Sequence, residues 1–283
     1  SLWNGWKASL LEELYFNTKR AFRRGLEKPV DLRSKIRENQ RQAIELLQAV
    51  NIDKSVFYPL WHDFKADYFL RYTPEQISWH CQNILTHDNT APLVLISSEP
   101  YRGGTQVFIY TKEHESIFSA TVSLLATRKL SIHDAKIITS KSGFTLNTFV
   151  VLDHRGKAID DKSRTKDIAQ AIMYTLENQE FKDIKIQPIS QRMKNFTTPT
   201  SVSFIKTNNK RGSLLEITTK DRPALLALIS RIFRDNQIHI HSAKITTFGE
   251  KAEDVFTISN NQNQTLTEQE QENLTKILCD ELS

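Results

Sequence analysis

The feature that most constrains the fold is an internal sequence repeat. Residues 105–139 and 213–247 carry the same residue types at a constant spacing of 108 positions, without a gap. The shared pairs are Thr111/Thr219, Lys112/Lys220, Ile132/Ile240, His133/His241, Ala135/Ala243, Lys136/Lys244 and Ile137/Ile245. A register kept over so long a stretch indicates a duplication. Two copies are too few for a solenoid, so each is predicted to be a small domain that can pair with its twin.

The spacing of apolar residues changes in a regular order within each copy. In the first copy, alternating residues over 105–111 predict a strand, and helical spacing over 115–129 predicts a helix. Two further strands are predicted over 131–140 and 144–153, and a second helix over 166–177. The order is therefore strand, helix, strand, strand, helix.

An additional strand is predicted ahead of each copy. A ferredoxin-like domain needs one more strand beside the first, and the sequence ends at Ser283 directly after its last predicted helix. Apolar runs at Leu93 and Val202 each lead through turn-forming residues into the first strand of a copy, which is the pattern of a hairpin. We therefore expect an α+β fold with two circularly rearranged ferredoxin-like domains, each with the order ββαββα.

A helical N-terminal segment is predicted before the two domains. Apolar residues at helical spacing predict helices over 2–24 and 33–50. Thr73-Pro74-Glu75-Gln76 predicts the start of another helix with a capping box. The predicted boundaries are 1–90 for the helical segment, 91–180 for the first domain, 181–200 for a connector and 201–283 for the second domain.

Composition narrows the classes of function. The 39% hydrophobic and 25% charged content is typical of a globular protein in water, and no apolar stretch or leader suggests a membrane partner, so a cytoplasmic protein is expected. Cys81 and Cys279 are too few for a disulfide framework. Basic residues between Lys19 and Arg41 supply much of the net charge of +5, and are expected to form a solvated helical surface. The start at Ser1, without Met, suggests a piece of a longer chain.

Three groups of polar residues have the composition of metal ligands but not the required number. His62-Asp63 and His87-Asp88 are dipeptides of the kind that bind metals in phosphohydrolases, yet no further ligands are spaced to complete either site. His80-Cys81 shares a helical face with His87 but lacks a fourth ligand. No metal site, cofactor or catalytic residue is therefore predicted in this chain, and His80 and Cys81 are expected to be a half-buried polar pair.

One loop has the chemistry of a ligand site. In the second copy the first strand runs through Lys220-Asp221-Arg222-Pro223 into a helix, with Asp221 predicted as its N-terminal cap. The amides of that first turn suit a carboxylate, so a free amino acid could be held there with its ammonium near Asp221. A helix cap without any ligand explains the same residues equally well.

The chain resembles a known family in several places. Thr219 to Leu225, followed by Ile240 to Ile245, resembles an ACT domain, a ferredoxin-like module that often binds amino acids. With the motif from Trp3 to Tyr15, the segment Asp67 to Arg71, and Trp79-His80, the tandem pair resembles the C-terminal region of the bifunctional uridylyltransferase/uridylyl-removing enzymes of bacterial nitrogen control. The resemblance extends over essentially the whole chain.

This resemblance implies a regulatory role. Enzymes of the family attach UMP to a tyrosine of the PII signalling protein when glutamine is scarce, and hydrolyse it off when glutamine is plentiful. Their nucleotidyltransferase and His-Asp phosphohydrolase domains, for which Mg²⁺ or Mn²⁺ is expected, would lie outside this chain apart from the tail of the phosphohydrolase domain at Trp3. The fragment is expected to bind L-glutamine without catalysing either reaction, and to meet PII through the parent enzyme.

The resemblance also implies where glutamine binds, namely where a loop of one domain faces the second strand of a paired domain. The residues carried over to this site are Lys220, Asp221, Arg222, Leu225, His241, Ser242 and Ala243. Those of a second site in the first copy are Glu113, His114, Ile117, His133, Asp134 and Ala135. Because Glu113-His114-Glu115 replaces Asp221-Arg222-Pro223, the two sites are expected to be unequal.

Alternatives to glutamine sensing stay open at this point. The second strand of each copy is predicted to be a sheet edge, which invites pairing within the chain or across a homodimer and would bury His133 and His241. A purely dimerising module would need no ligand. Phe108 and Tyr110 on one strand face resemble an RNA stacking platform, although the second copy has Glu216 and Thr218 there, so no nucleic-acid partner is expected.

Overall fold

The computed structural model describes most of the chain. The described residues are 8, 11, 32–88, 90–97, 100–101, 103–178, 199–205, 212–222, 224–248 and 251–283. The predicted helix over 2–24 and most of the predicted connector over 181–200 lie outside them.

Four helices lie in the part of residues 32–88 that the structure describes ahead of the repeats. They are α1 (Leu32–Ala49), α2 (Lys54–Asp63), α3 (Ala66–Arg71) and α4 (Pro74–Leu85), which we call the helical segment. The predicted capping box opens α4, where Thr73 Oγ1 accepts from the Gln76 amide and the Gln76 side chain accepts from the Thr73 amide. Helices α2 and α3 were not predicted, and Asp53 caps the first of them.

Each repeat then follows the predicted order ββαββα. The first contains β1 (Leu93–Ile96), β2 (Thr105–Lys112), α5 (Ile117–Thr127), β3 (Ser131–Thr139), β4 (Phe144–Leu152) and α6 (Lys162–Glu177). The second contains β5 (Ser201–Ile205), β6 (Ser213–Lys220), α7 (Leu225–Asp235), β7 (His239–Phe248), β8 (Lys251–Ser259) and α8 (Glu268–Leu282). Helix α6 begins four residues earlier than predicted because Asp161 accepts hydrogen bonds from the amides of Ser163 and Arg164.

The described strands form one antiparallel sheet in the order β1-β2-β4-β3-β7-β8-β6-β5. Strands β1 and β5 pair with β2 and β6, the positions predicted for the hairpin strands, so the ferredoxin-like fold is confirmed. The second strands of the two repeats pair with each other within the chain, through Asp134↔Lys244, Ala135↔Ala243 and Lys136↔Ser242. These two edges are therefore occupied without a second molecule.

Helices α5 to α8 cover one face of the sheet. Their apolar side chains and the inward residues of both repeats form a continuous core, which includes Phe149, Ala135, Ala243 and Phe256. Helices α5 and α7 pack against each other across the boundary between the repeats. The β3–β7 junction, which we call the seam, thus lies over a shared core.

The helical segment covers the opposite, outer face of the first repeat. Phe108 is fully buried there and stacks on His80, with ring centroids 4.6 Å apart. Tyr110 is buried against Phe144 at 5.0 Å. A base cannot reach either ring, so the RNA stacking platform considered from the sequence is wrong.

His80 and Cys81 are fully buried, which corrects the expectation of a half-buried pair. The Tyr68 hydroxyl lies 3.2 Å from His80 Nδ1. Burial holds the pKa of His80 well below its usual value and raises the pKa of Cys81 to about 12. Within the described ranges, no group of three or more His, Cys, Asp or Glu side chains is arranged to hold a metal ion. No described helix is both long and apolar enough to cross a bilayer.

Candidate functional site at the seam between the repeats

Two pockets lie at opposite ends of the seam. Pocket A, about 200 Å³ in volume, adjoins the loop over 113–117 that precedes α5. Pocket B, about 620 Å³, adjoins the loop over 221–225 that precedes α7. Because β3 and β7 run antiparallel, the start of one strand lies at the same end of the seam as the end of the other. Each pocket therefore has walls from both repeats.

Pocket A combines the first repeat's loop with the second repeat's β7. Glu113, His114 and Ile117 come from the loop and the start of α5. From the second repeat come Ser230, Arg234, Gln237, His239 and His241. The lining combines apolar side chains with polar ones, among them three imidazoles and one guanidinium.

Pocket B combines the second repeat's loop with the first repeat's β3. Asp221, Arg222 and Leu225 line it from the loop and the start of α7. The first repeat supplies Val122, Ala126, Lys129, Ser131, His133 and His154. Asp254, from the middle of β8, completes the pocket.

This crosswise arrangement differs from the residue sets carried over from the resemblance. The Asp221 loop lies in the same pocket as His133 of the other repeat, and the Glu113 loop lies with His241. The two sets took the loop and the second strand from the same copy number and expected that strand to belong to a paired domain; within this chain the paired domain is the twin repeat. The physical reason is the seam itself, because antiparallel pairing brings each loop to the strand that the twin contributes.

Several of the carried-over residues lie at the seam but line neither pocket. Ala135 and Ala243 pair directly and are fully buried in the shared core. Asp134 and Lys244 form an ion pair at 3.0 Å across the seam. The Ser242 hydroxyl donates to Thr257, and Lys220 lies beyond the pocket lining at the end of β6. Asp134, Ala135, Ser242 and Ala243 therefore join the repeats through the β3–β7 pairing, whereas Lys220 lies away from the seam.

The predicted helix cap at Asp221 is wrong. The residue at the N-cap position of α7 is Ala224, which has a left-handed conformation with φ of 62° and forms no side-chain cap. Burial raises the pKa of Asp221, although the amide of Arg222 favours its charged form. The start of α7 therefore faces pocket B with no capping side chain, and Asp221 lines the pocket instead of capping the helix.

Asp254 is the residue that sequence reasoning missed. Its side chain is buried, and the amide of Thr246 donates to Oδ1 at 3.3 Å. Burial raises the pKa of Asp254 to about 7; the Thr246 amide opposes this shift and the nearby charge of Asp221 adds to it. The sequence did carry a signal, because Asp254 stands at an inward position between Ala252 and Phe256 of an alternating strand.

The equivalent position in the first repeat is Asn147. Both residues lie opposite a matching isoleucine, Ile109 for Asn147 and Ile217 for Asp254. Asn147 is buried and lines pocket A, where its Oδ1 accepts from the Thr145 hydroxyl at 2.8 Å. The two pockets thus differ by a neutral amide in A and an acid in B.

Pocket A is linked to the helical segment through Arg71. Its guanidinium donates to the carbonyl oxygen of His241 at 2.7 Å, and its own carbonyl accepts from Lys136 Nζ at 2.8 Å. The imidazole of His241 contacts the Ser259 hydroxyl at 2.9 Å. Burial, with the nearby charge of Arg71, lowers the pKa of His241 to about 4. Arg71 therefore contacts both sides of the seam.

Comparison with known proteins identifies relatives over the whole length. Residues 31–83 match the family model of the uridylyltransferase GlnD fifth domain. Across all 283 residues the chain is 43% identical to the bifunctional uridylyltransferase/uridylyl-removing enzyme of Vibrio cholerae serotype O1, and 44% to that of Vibrio campbellii. The chain is a homologue of one segment of these enzymes. It spans 32% of the length of each of these two relatives.

A more distant relative and one solved structure complete the comparison. The enzyme of Photobacterium profundum is 40% identical over 282 residues, and the chain again spans 32% of its length. A crystal structure of a candidate glycine cleavage system transcriptional repressor aligns with 62% of this chain and 89% of its own, at 13% identity and a TM-score of 0.22. The fold assignment therefore rests on the strand order of this chain. The family resemblance found in the sequence is confirmed by the uridylyltransferase relatives.

Proposed function

We propose that this chain is the glutamine-sensing regulatory region of a bifunctional uridylyltransferase/uridylyl-removing enzyme that acts on the PII protein. Homology over the whole chain supports the parent activity, since the relatives bear that name. The fragment itself catalyses neither reaction in this proposal. Any requirement of the parent for Mg²⁺ or Mn²⁺ belongs to domains beyond these residues.

The observation that carries the proposal is that both pockets are built across the seam. A ligand held by the loop of one repeat and the second strand of the other contacts both at once. Its affinity then depends on how the two repeats are arranged. A ligand can shift a conformational equilibrium only by its differential affinity for the two states, and typical coupling is about 1–3 kcal/mol. Inter-repeat pockets meet that requirement.

The seam is also hydrogen-bonded to the helical segment. Arg71 hydrogen-bonds to His241, which lines pocket A, and receives a hydrogen bond from Lys136 of the first repeat. A displacement of β7 relative to β3 would strain both bonds. Helix α3 would therefore respond to the state of the seam, and the helical segment would carry that response toward residues 1–31.

The chemistry of the pockets suits a free amino acid. The first turns of α5 and α7 have no side-chain caps and can accept a carboxylate at the positive end of the helix dipole. In pocket B two acidic side chains, Asp221 and Asp254, lie beside the start of α7. A zwitterion presents both of the charges that these groups recognise.

Isothermal titration of the 283-residue chain with L-glutamine tests the proposal. We expect saturable heat in the millimolar range or tighter, together with a rise in the melting temperature, because a ligand that binds only the folded state stabilises it. D-Glutamine and L-glutamate serve as controls for stereochemistry and side chain. No heat and no thermal shift with any amino acid would contradict the sensing role.

The alternatives from the sequence have less support. Burial of Phe108 and Tyr110 beneath the helical segment removes the surface on which RNA would stack. A purely dimerising module would use the second-strand edges between molecules, but these edges pair within the chain. Sedimentation with and without glutamine distinguishes that role from sensing, since a dimeriser would associate regardless of ligand.

A further inference from the structure

We infer that the two pockets are chemically unequal, and that pocket B alone takes the ammonium group of an α-amino acid, through Asp254 and Asp221. The inference rests on the proposed function and deepens it, because it assigns the amino-acid site to one end of the seam. The carboxylates of pocket A, by contrast, belong to the exposed side chains of Glu113 and Glu115, whereas Asp254 is buried. The chain would accordingly bind one amino acid.

The first observation is a buried acid without a cation. Asp254 is only 1% exposed. Among the residues that the structure describes, it forms no ion pair, and the one hydrogen bond to it comes from the Thr246 amide. Burying a carboxylate costs free energy unless it is paired and hydrogen-bonded. Because Asp254 lines pocket B, a cationic group of a ligand can supply the missing partner.

The second observation is that another acid lies beside it. The negative charge of Asp221 raises the pKa of Asp254, so the two carboxylates repel each other in the ligand-free protein. Two acids that share a site resist joint ionisation. A positive group between them removes the repulsion and lets both carboxylates ionise, and an ammonium group with three donors can serve both.

The third observation is that the same pocket offers a place for a carboxylate. Ala224, Leu225, Leu226 and Ala227, at the start of α7, line pocket B. No side chain caps this end of the helix, where the backbone amides and the dipole favour an anion. An ammonium acceptor and an anion site within one cavity match the two charges of an α-amino acid.

Pocket A has the same backbone plan, but its carboxylates, Glu113 and Glu115, are exposed, and an ammonium group gains little from a solvated carboxylate. Asn147 replaces the acid, and its Oδ1 accepts from Thr145. Glu113 accepts from the Thr139 hydroxyl at 3.0 Å. His114 Nδ1 accepts from the amide of Ser116, next to the start of α5.

Calorimetry on matched variants of the 283-residue chain tests this inference. Asp254→Asn gives pocket B the residue that pocket A has naturally, so the variant keeps the shape of the site and is expected to fold. Removing one partner of a buried charge pair costs at least about 2 kcal/mol, so L-glutamine affinity should fall by roughly 30-fold or more. Asp221→Asn should also weaken binding. Glu113→Gln, the matched change in pocket A, should leave the affinity for L-glutamine unchanged. The wild type and this variant should each bind one glutamine per chain.

A second measurement uses only the wild-type chain, in case a variant fails to fold. Glutaramic acid is glutamine without its α-ammonium group, so it should bind at least roughly 30-fold more weakly than L-glutamine if buried acids hold that group. Equal affinity for the two ligands would overturn the inference. Loss of glutamine binding in Glu113→Gln with retention in Asp254→Asn would also overturn it, while leaving the sensing role intact. Absence of glutamine binding to the wild type would instead defeat the sensing role itself.

Discussion

The outer faces of the two repeats differ more than their cores do. In the first repeat Phe108, Tyr110 and Leu146 form a buried apolar surface beneath the helical segment. The equivalent residues of the second repeat are Glu216, Thr218 and Glu253, which are partly exposed. Successive side chains of a strand point to opposite faces of the sheet. The residues of the outer face can therefore differ between the repeats while the apolar residues of the inner face stay the same. The comparison teaches that the outer faces of the duplicated fold have different roles. The first repeat packs against the helical segment through an apolar surface, whereas the second has polar residues at the equivalent positions.

The inner faces of the two repeats also differ, at one position in each pocket. Asp254 and Asn147 occupy matching inward positions, yet one is an acid and the other an amide. A single such exchange changes which charge the cavity can accept without altering the strand. Similar backbones therefore do not imply similar ligands.

The largest effect is expected from giving the first repeat an outer residue of the second. Phe108→Glu would place a carboxylate between His80 and Trp79 in a fully buried site. Loss of the ring and burial of the charge should lower the free energy of unfolding by more than about 4 kcal/mol, measured by urea denaturation. The reciprocal Glu216→Phe should change it by less than about 1 kcal/mol. Similar losses in both variants would break the contrast between the two faces.

The inner-face comparison predicts that Asp254→Asn stabilises the ligand-free protein at alkaline pH. The folded pKa of about 7 lies above the ordinary value near 3.9, so the wild type loses stability as pH rises from about 4 through 7. At about 1.4 kcal/mol per pKa unit, the variant should be more stable by on the order of 4 kcal/mol at pH 8, and little changed at pH 4.

Thermal or urea unfolding across this pH range measures the difference. The other charged groups around pocket B are Asp221, Arg222, Lys129, His133 and His154. They are present in both proteins, so the difference between the two curves isolates position 254. A constant difference from pH 4 to pH 8 would show that Asp254 does not titrate in this range.

A smaller effect on stability is expected at the seam, where the two partners of the Asp134–Lys244 ion pair differ in exposure. The side chain of Asp134 is 3% exposed and that of Lys244 is 49% exposed. Lys244→Met would leave a buried carboxylate without its cation and should cost about 2 kcal/mol. Asp134→Asn leaves only a solvated ammonium and should cost less. Urea denaturation of both variants gives the order, and a greater loss in Asp134→Asn would reverse this account of the seam.

The smallest effect concerns the link between the helical segment and the second repeat. Arg71→Met removes the hydrogen bond to His241 and the ion pair with Asp67, so it should cost about 1 kcal/mol and speed amide hydrogen exchange at the start of β7. Arg41→Met is the control, since that arginine pairs with exposed glutamates on α1 and should cost no more than about 0.5 kcal/mol. Unchanged exchange in the Arg71 variant would mean that α3 does not restrain the seam.

Local patterns predicted most of the fold. The repeat, its hairpins and the capping box at Thr73 depend on residues close in sequence, and the structure confirms each of them. Helices α2 and α3 were missed for local reasons too. Pro59 lies inside α2, where proline usually argues against a helix, and α3 is only six residues long. Packing of the helical segment's aromatic residues on the sheet offsets these weak propensities.

The site was less predictable because its geometry is not local. Both loops and both second strands were identified, but which loop meets which strand depends on the β3–β7 pairing. Asp221 was placed as a helix cap because its spacing fits one, whereas the left-handed Ala224 takes that position. Asp254 lies 33 residues from Asp221, and only the folded strand order brings them to one pocket.

A crystal structure of this chain with L-glutamine tests the central claim most directly. The account predicts density for one glutamine in pocket B, with its ammonium within hydrogen-bond distance of Asp254 and Asp221 and its carboxylate at the start of α7. Pocket A should contain solvent at the same glutamine concentration. Glutamine bound in pocket A beside Glu113 and Asn147, with pocket B empty, would contradict it.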